Sequence, residues 1–342
     1  MLYTDRRRTM VETKKILVTG GLGFIGSNLS LALAKEGHEV TILDKAKNWR
    51  NIEGHEDSFA IINKNILDKE AVALAVNDKD AIVHLAANVS HIQGQKDPYL
   101  DMESNIRGTI NMADAVKDFK NKPRIIYACS RSAYGMTQTM PVKETHRVQP
   151  LDAYGISKLA GEKYLMMYSH HYDIPVLSFR KANVVGERQG LNTRAYQMIS
   201  WIWRQVKLGK PIGFWGDGKQ SRDFLYVQDA VKFYKNAATN DKLWDEKPMA
   251  DFYNLPGGEY DTWMGAIETA GEALHMPTEV NLEPYPNKMR VKLENPHSCL
   301  DGTKLKERFG EVPETKLDTA FTNMDKFYNE DNIEDYLKRG IN

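Results

Sequence analysis

The stretch that most limits what this chain can become is Lys15-Ile-Leu-Val-Thr-Gly-Gly-Leu-Gly-Phe-Ile-Gly-Ser-Asn-Leu29. Ile16, Leu17 and Val18 form a short apolar run of the kind that makes a buried parallel strand. Gly20, Gly23 and Gly26 follow at once, and a helical pattern opens at Phe24 and Ile25. Strand, glycine turn and helix in that order suit a dinucleotide pyrophosphate, which needs a tight turn, bare backbone and helix N–H groups facing the anion. Spacing alone is a weak sign. It gains weight from a second strand, Glu39-Val-Thr-Ile-Leu43, that ends on Asp44, where a carboxylate can hold the adenosine ribose hydroxyls.

Downstream, strand and helix patterns alternate. Phe59 to Ile62 reads as a strand, Lys69 to Val76 as a helix, Ala81 to Leu85 as a strand, and 102–119 as a helix. Arg124 to Ala128, a helix over 153–170 and Pro175 to Phe179 continue the rhythm. The pattern predicts an α/β chain: a Rossmann-type doubly wound parallel sheet with helices on both faces. Past Asn183 the rhythm gives way to turns at 186–192, 216–218 and 256–258, separating helices near 196–208 and 262–274. We expect a smaller mixed α/β C-terminal substrate lobe there. The boundaries expected are 14–182 with about 225–255 for the dinucleotide domain, about 183–224 and 256–335 for the lobe, and 1–13 as an N-terminal extension.

Composition narrows the partners. Lysine plus arginine and aspartate plus glutamate number 46 each, so no net field draws in nucleic acid or an anionic membrane. Cys129 and Cys299 are too few for a disulfide framework and point to the reducing cytoplasm. No apolar run is long enough to span a bilayer, and residues 1–14 lack the apolar centre of a signal peptide.

Two further features carry chemistry. Tyr154-Gly-Ile-Ser-Lys158 sets a phenol and an ammonium four residues apart, on one face of a helix. The ammonium favours phenolate, so Tyr154 is a candidate base near neutrality. Ser130 ends the preceding strand in Ala128-Cys-Ser-Arg-Ser-Ala-Tyr-Gly135, at the edge of the sheet where ligands bind.

Taken with Val83-His-Leu-Ala-Ala87, Arg180-x-x-Asn183 and Gly216-Asp-Gly-Lys-Gln-Ser-Arg-Asp-Phe224, these motifs resemble the extended short-chain dehydrogenase/reductase family. Within it the chain is most similar to nucleotide-sugar epimerases and dehydratases, of the UDP-glucose 4-epimerase type, from about Lys14 to Tyr328. The resemblance implies that Gly20, Gly23 and Gly26 cradle the pyrophosphate of NAD and that Asp44 takes its ribose. It implies that Asn65 and Ile66 lie by the adenine, and that Ala86, Ala87 and Asn105 flank the cofactor. Lys158 would hold the nicotinamide ribose. Asp44 opposes a 2'-phosphate, while Lys45, Lys47 and Arg50 leave NADP open.

For the substrate, the resemblance implies a nucleotide sugar met by Ser130, Asn183, Arg222, Arg290 and His91. No metal is implied. Two departures stand out: Glu187 replaces a usual proline, and Lys181 replaces an aromatic common beside the nicotinamide. Dehydratases of this family carry an acid between the catalytic hydroxyl and the Tyr-Gly pair, because eliminating water needs an extra acid and base. Here those places hold Arg131 and Ser132. What remains is the set for 4-epimerisation: Ser130, Tyr154, Lys158 and NAD. The same trio also serves an NAD(P)-dependent reductase or 4-ketosugar-processing enzyme, and a non-catalytic NAD-binding scaffold is a third reading. A homodimer on helices 102–119 and 153–170 is implied by the family alone.

Overall fold

The computed structural model describes residues 12–192, 198–245, 250–285, 291, 295–329 and 332–338, with only the backbone of 91 and 92. The first six strands run in chain order: β1 (Lys15–Thr19), β2 (Glu39–Leu43), β3 (Phe59–Ile62), β4 (Ala81–His84), β5 (Arg124–Ser130) and β6 (Val176–Lys181). With Ala250–Leu255 they make a seven-stranded sheet ordered Ala250–Leu255, β6, β5, β4, β1, β2, β3. Every pairing in it is parallel. The order reverses between β1 and β4, and that reversal opens a crevice at the carboxyl ends of the strands.

Alternation along each strand feeds two cores. Ile126, Ala128, Leu177 and Phe179 pack on one face with the helices Phe24–Lys35 and Val227–Thr239. Ile125, Tyr127, Cys129 and Val176 pack on the other, where Lys69–Val76, Gly108–Val116 and Ala153–Tyr172 lie. Both faces being buried explains why these strands read as unbroken apolar runs. Cys129 is fully buried and its thiol donates to the Lys158 carbonyl at 3.6 Å.

One expected helix differs. Residues 102–119 form a π turn, Met102–Arg107, running into a helix that stops at Val116. The wider turn carries Asn105 inward, where its amide accepts from Asn88 N at 2.7 Å and donates to Asn88 O at 3.0 Å and to Ser157 Oγ at 2.9 Å.

Past Ala182 the chain builds a second sheet. Asn183–Val185 and His297–Ser298 pair in parallel with Ser221–Tyr226, and Glu259–Thr262 pairs with it antiparallel. A two-stranded ladder, Ile212–Trp215 with Val280–Glu283, and the helices Met198–Lys207 and Trp263–Leu274 complete this mixed α/β portion. The helix at 262–274 is thus present from Trp263, capped by the Thr262 hydroxyl accepting from Gly265 N at 3.0 Å.

Candidate active site

The crevice is a cleft of about 470 Å³. Of the residues singled out in the sequence, Gly20, Gly23, Phe24, Ile25, Gly26, Asp44, Asn65, Ile66, Ala86, Ala87, Ser130, Tyr154, Lys158 and Asn183 all line it.

At one end, Gly20 has a left-handed φ of +72°, and a side chain there would come within 2.9 Å of Ala86 N. A Cβ on Gly26 would lie 2.1 Å from Gly20 O. The bare backbone therefore leaves a concave cradle against the start of the helix Phe24–Lys35, whose cap residue, Gly23, brings no side chain of its own. Asp44 is set by the backbone: its Oδ2 accepts from Leu22 N at 3.0 Å and its Oδ1 from Ala46 N at 2.9 Å. These features fit a dinucleotide. Arg50, one of the cations that left NADP open, is engaged with Asp335 and lies 3.8 Å from Glu53.

Beneath the cradle runs a directed chain of hydrogen bonds. Ala86 N donates to Thr19 Oγ1 at 3.2 Å, Thr19 Oγ1 lies 2.7 Å from His84 Nδ1, and His84 Nε2 lies 3.0 Å from Thr109 Oγ1. Thr109 in turn donates to Asn105 O at 2.6 Å. With that last proton spoken for, the sequence of donors requires His84 to carry its hydrogen on Nε2. Burial holds this imidazole neutral, with its pKa lowered to about 3. The network pins the Ala86-Ala87 turn over the cleft.

The other end holds the reactive groups. Asp152 caps the helix Ala153–Tyr172, its carboxylate accepting from Gly155 N at 2.8 Å, which seats Tyr154 in the first turn and Lys158 one turn later. The Ser130 hydroxyl acts on the Tyr154 phenol in the direction of a lower pKa, against the larger upward push of burial. The Lys158 ammonium sits 4.2 Å from the centre of the Tyr127 ring. Burial dominates both groups: it pushes the Tyr154 phenol well above its usual range and drags Lys158 down to about 7. Desolvation thus works against the phenolate that a neighbouring ammonium favours.

Lys181 and Arg131 also line this end, and spacing in the sequence did not single them out as site residues. Ser130 and Lys181 are register partners on adjacent parallel strands, a signal that needed the sheet order to be seen. Arg131 Nε donates to Asn183 Oδ1 at 2.6 Å, joining the loop after β5 to the second sheet. Ser132, Ser104 and Gln189 are further lining residues.

Two expected site residues do not line the cleft, and two fall outside what the structure describes. Asn105 is buried below the cleft and acts on it through the loop at Asn88. Arg222 does not line the cleft: its guanidinium donates to Ser221 O at 2.7 Å and to Pro296 O at 3.4 Å and faces Trp263. Arg290 lies outside the described residues, as does the side chain of His91. Among the described residues no cluster of histidine, cysteine and carboxylate side chains has the makings of a metal site, and no helix is long and apolar enough to cross a membrane.

The sequence model of the NAD dependent epimerase/dehydratase family matches residues 16–249. The chain belongs to this family. UDP-glucose 4-epimerase of Mycolicibacterium smegmatis is 32% identical to it over 229 residues, covering 65% of this chain and 72% of that protein. The UDP-N-acetyl-alpha-D-glucosaminuronate decarboxylase of Bacillus cytotoxicus is 30% identical over 305 residues, covering 86% and 91%. Among solved structures, UDP-glucuronic acid 4-epimerase of Bacillus cereus with UDP-glucuronic acid and NAD superposes with a TM-score of 0.80 at 27% identity, covering 92% of this chain and 98% of that one. The protein is thus an NAD-dependent enzyme of the nucleotide-sugar epimerase family with a Rossmann-type fold.

Proposed function

We propose that the protein is a nucleotide-sugar 4-epimerase, inverting a sugar carbinol through a transient 4-keto sugar. One observation carries this reading. Asp44, at the dinucleotide end, is the only carboxylate among the described residues lining the cleft, so the reactive end has hydroxyl, phenol and cationic groups and no acid of the kind that elimination of water needs.

NAD, when bound, supplies the acceptor and then the donor of the sugar's hydride, and a fixed positive charge that favours the phenolate. Tyr154 takes the proton from the 4-hydroxyl and returns it to the same oxygen once the sugar has turned over. Ser130 donates a hydrogen bond to that oxygen while its charge develops. Lys158 anchors the nicotinamide ribose and adds its charge beside the phenol. Asn183 holds the substrate pyrophosphate, with Arg290 as a further phosphate ligand and His91 near the sugar. Gly20, Gly23, Phe24, Ile25, Gly26, Asp44, Asn65, Ile66, Ala86 and Ala87 hold the dinucleotide, and Asn105 keeps the loop above it in place.

We place the enzyme in the cytoplasm and read it as a homodimer. Ile156, Tyr164 and Met167 form an exposed apolar stripe on the helix Ala153–Tyr172, beside exposed Leu100 and Met102. Light scattering at micromolar protein reads the mass, and a monomer refutes the dimer.

Incubating the NAD-loaded protein with UDP-, GDP-, CDP- and dTDP-sugars and following the ring protons by NMR tests the reaction. Inversion at C4 without net reduction of NAD is the expected result, with Tyr154→Phe slower by about 100-fold or more. Loss of water or carbon dioxide, stoichiometric consumption of the dinucleotide, or near-normal turnover by Tyr154→Phe refutes it.

A further inference from the structure

Lys181 lies at the carboxyl end of β6, in register with Ser130 on β5. Register partners on parallel strands point to the same side of a sheet, and neighbouring strands lie about 4.8 Å apart. Both residues line the cleft. Its neighbours there are cationic: Arg131 follows Ser130 directly, and Lys158 lies within electrostatic range. No carboxylate, carbonyl or hydroxyl is hydrogen-bonded to the Lys181 ammonium among the described residues, and burial without a counter-charge pulls its pKa down to about 8.

A half-buried ammonium that no described group of the chain neutralises costs stability, and an anionic ligand group repays that cost. The two other cations are accounted for. Lys158 faces the Tyr127 ring and Arg131 is held on Asn183. Among the described residues, Lys181 alone of the three lines the cleft with no group of this chain to meet.

We infer that Lys181 selects nucleotide sugars that bear a carboxylate at C6, that is, uronates over neutral hexoses. The inference rests on the reading of Tyr154 and Ser130 as the groups that meet O4. C6 is bonded to C5, the direct neighbour of C4, so when O4 sits on Ser130 a carboxylate on C6 lies within the sweep of the four-carbon Lys181 side chain. The flexible stem and compact charge suit a carboxylate that must travel as the 4-keto ring turns over, whereas a planar guanidinium fork fixes one orientation. The ion pair also has a chemical use. A 4-keto uronate is a β-keto acid, and its C5–C6 bond breaks to release carbon dioxide when the electron pair of that bond passes into the ketone. Holding the carboxylate as a salt stabilises it against that loss.

Steady-state kinetics of the NAD-loaded protein with UDP-glucose and UDP-glucuronate test this, with each variant's NAD binding and melting curve as a check on folding. The wild type is expected to favour UDP-glucuronate in kcat/KM. Lys181→Gln is expected to reduce that preference by about 10- to 100-fold, mostly through KM, as for loss of one charge-assisted hydrogen bond. Lys181→Arg retains the charge and is expected to keep most of the preference. If UDP-glucose is epimerised and UDP-glucuronate is not preferred, or if Lys181→Gln keeps the preference, the inference fails while the 4-epimerase reading stands. If the wild type turns over neither sugar, nor any other nucleotide sugar of the panel, that reading fails and takes this one with it.

Discussion

The Lys158 ammonium is buried 4.2 Å from the centre of the Tyr127 ring. A ring face is a weak substitute for water, and the amine's pKa falls to about 7. The group thus binds its proton less well folded than unfolded, where it titrates near 10.5. Below pH 7 both states are protonated and the folded protein bears the full cost of burying the charge; as pH rises from about 7 towards 10.5 that cost disappears. Lys158→Met is therefore expected to stabilise the dinucleotide-free protein by about 1–3 kcal/mol at pH 6 while abolishing activity. The gain should shrink by pH 9. Urea denaturation of both proteins at the two pH values measures it, and a variant less stable at pH 6 contradicts the account.

Gly26→Ala probes the cradle. The added methyl meets Gly20 O at 2.1 Å, closer than any relaxed contact, so the turn must move. A loss of about 1–3 kcal/mol in stability is expected from the overpacking, together with NAD affinity weakened at least tenfold as the backbone facing the pyrophosphate shifts. Titration calorimetry with NAD decides this, and unchanged affinity shows that the helix start does not hold the dinucleotide.

Arg180 and Glu162 form a buried ion pair at 2.5 Å, with Ser178 Oγ also donating to the carboxylate at 2.9 Å. The guanidinium lies against Phe252 at 4.0 Å and Tyr134 at 4.9 Å. Removing one partner leaves the other charged and without water, so Glu162→Ala is expected to cost about 3–5 kcal/mol. Chemical denaturation gives the number, and a loss below 1 kcal/mol shows that the pair is dispensable.

Much of this was legible in the chain. β2, β3 and the helix Lys69–Val76 begin and end where the apolar pattern places them, and in the structure the Asp68 carboxylate caps that helix by accepting from Ala71 N. The glycines, Asp44, Ser130 and the Tyr154–Lys158 pair announced one cleft, because local spacing on a strand, a turn and a helix suffices to orient them. What the sequence hid depends on which strands are neighbours. Lys181 reads as a departure from a motif until β6 is laid beside β5, and the Arg131 bond to Asn183 spans the two sheets. Arg222 follows a Gly-Asp-Gly turn as the motif demands, yet carbonyls from Ser221 and Pro296 hold it outside the cleft. The charge state of Tyr154 was hidden for another reason: desolvation depends on every atom that excludes water, and a four-residue motif names only one neighbour.

The alternation of β6 divides duties between adjacent residues. Arg180 turns one way and clasps Glu162 on the helix that carries Tyr154 and Lys158, while Lys181 lines the cleft. Rewriting position 181 therefore leaves the scaffold's anchor intact. On this backbone, a change in sugar preference is a matter of one codon, and the fold need not be rebuilt to accommodate it.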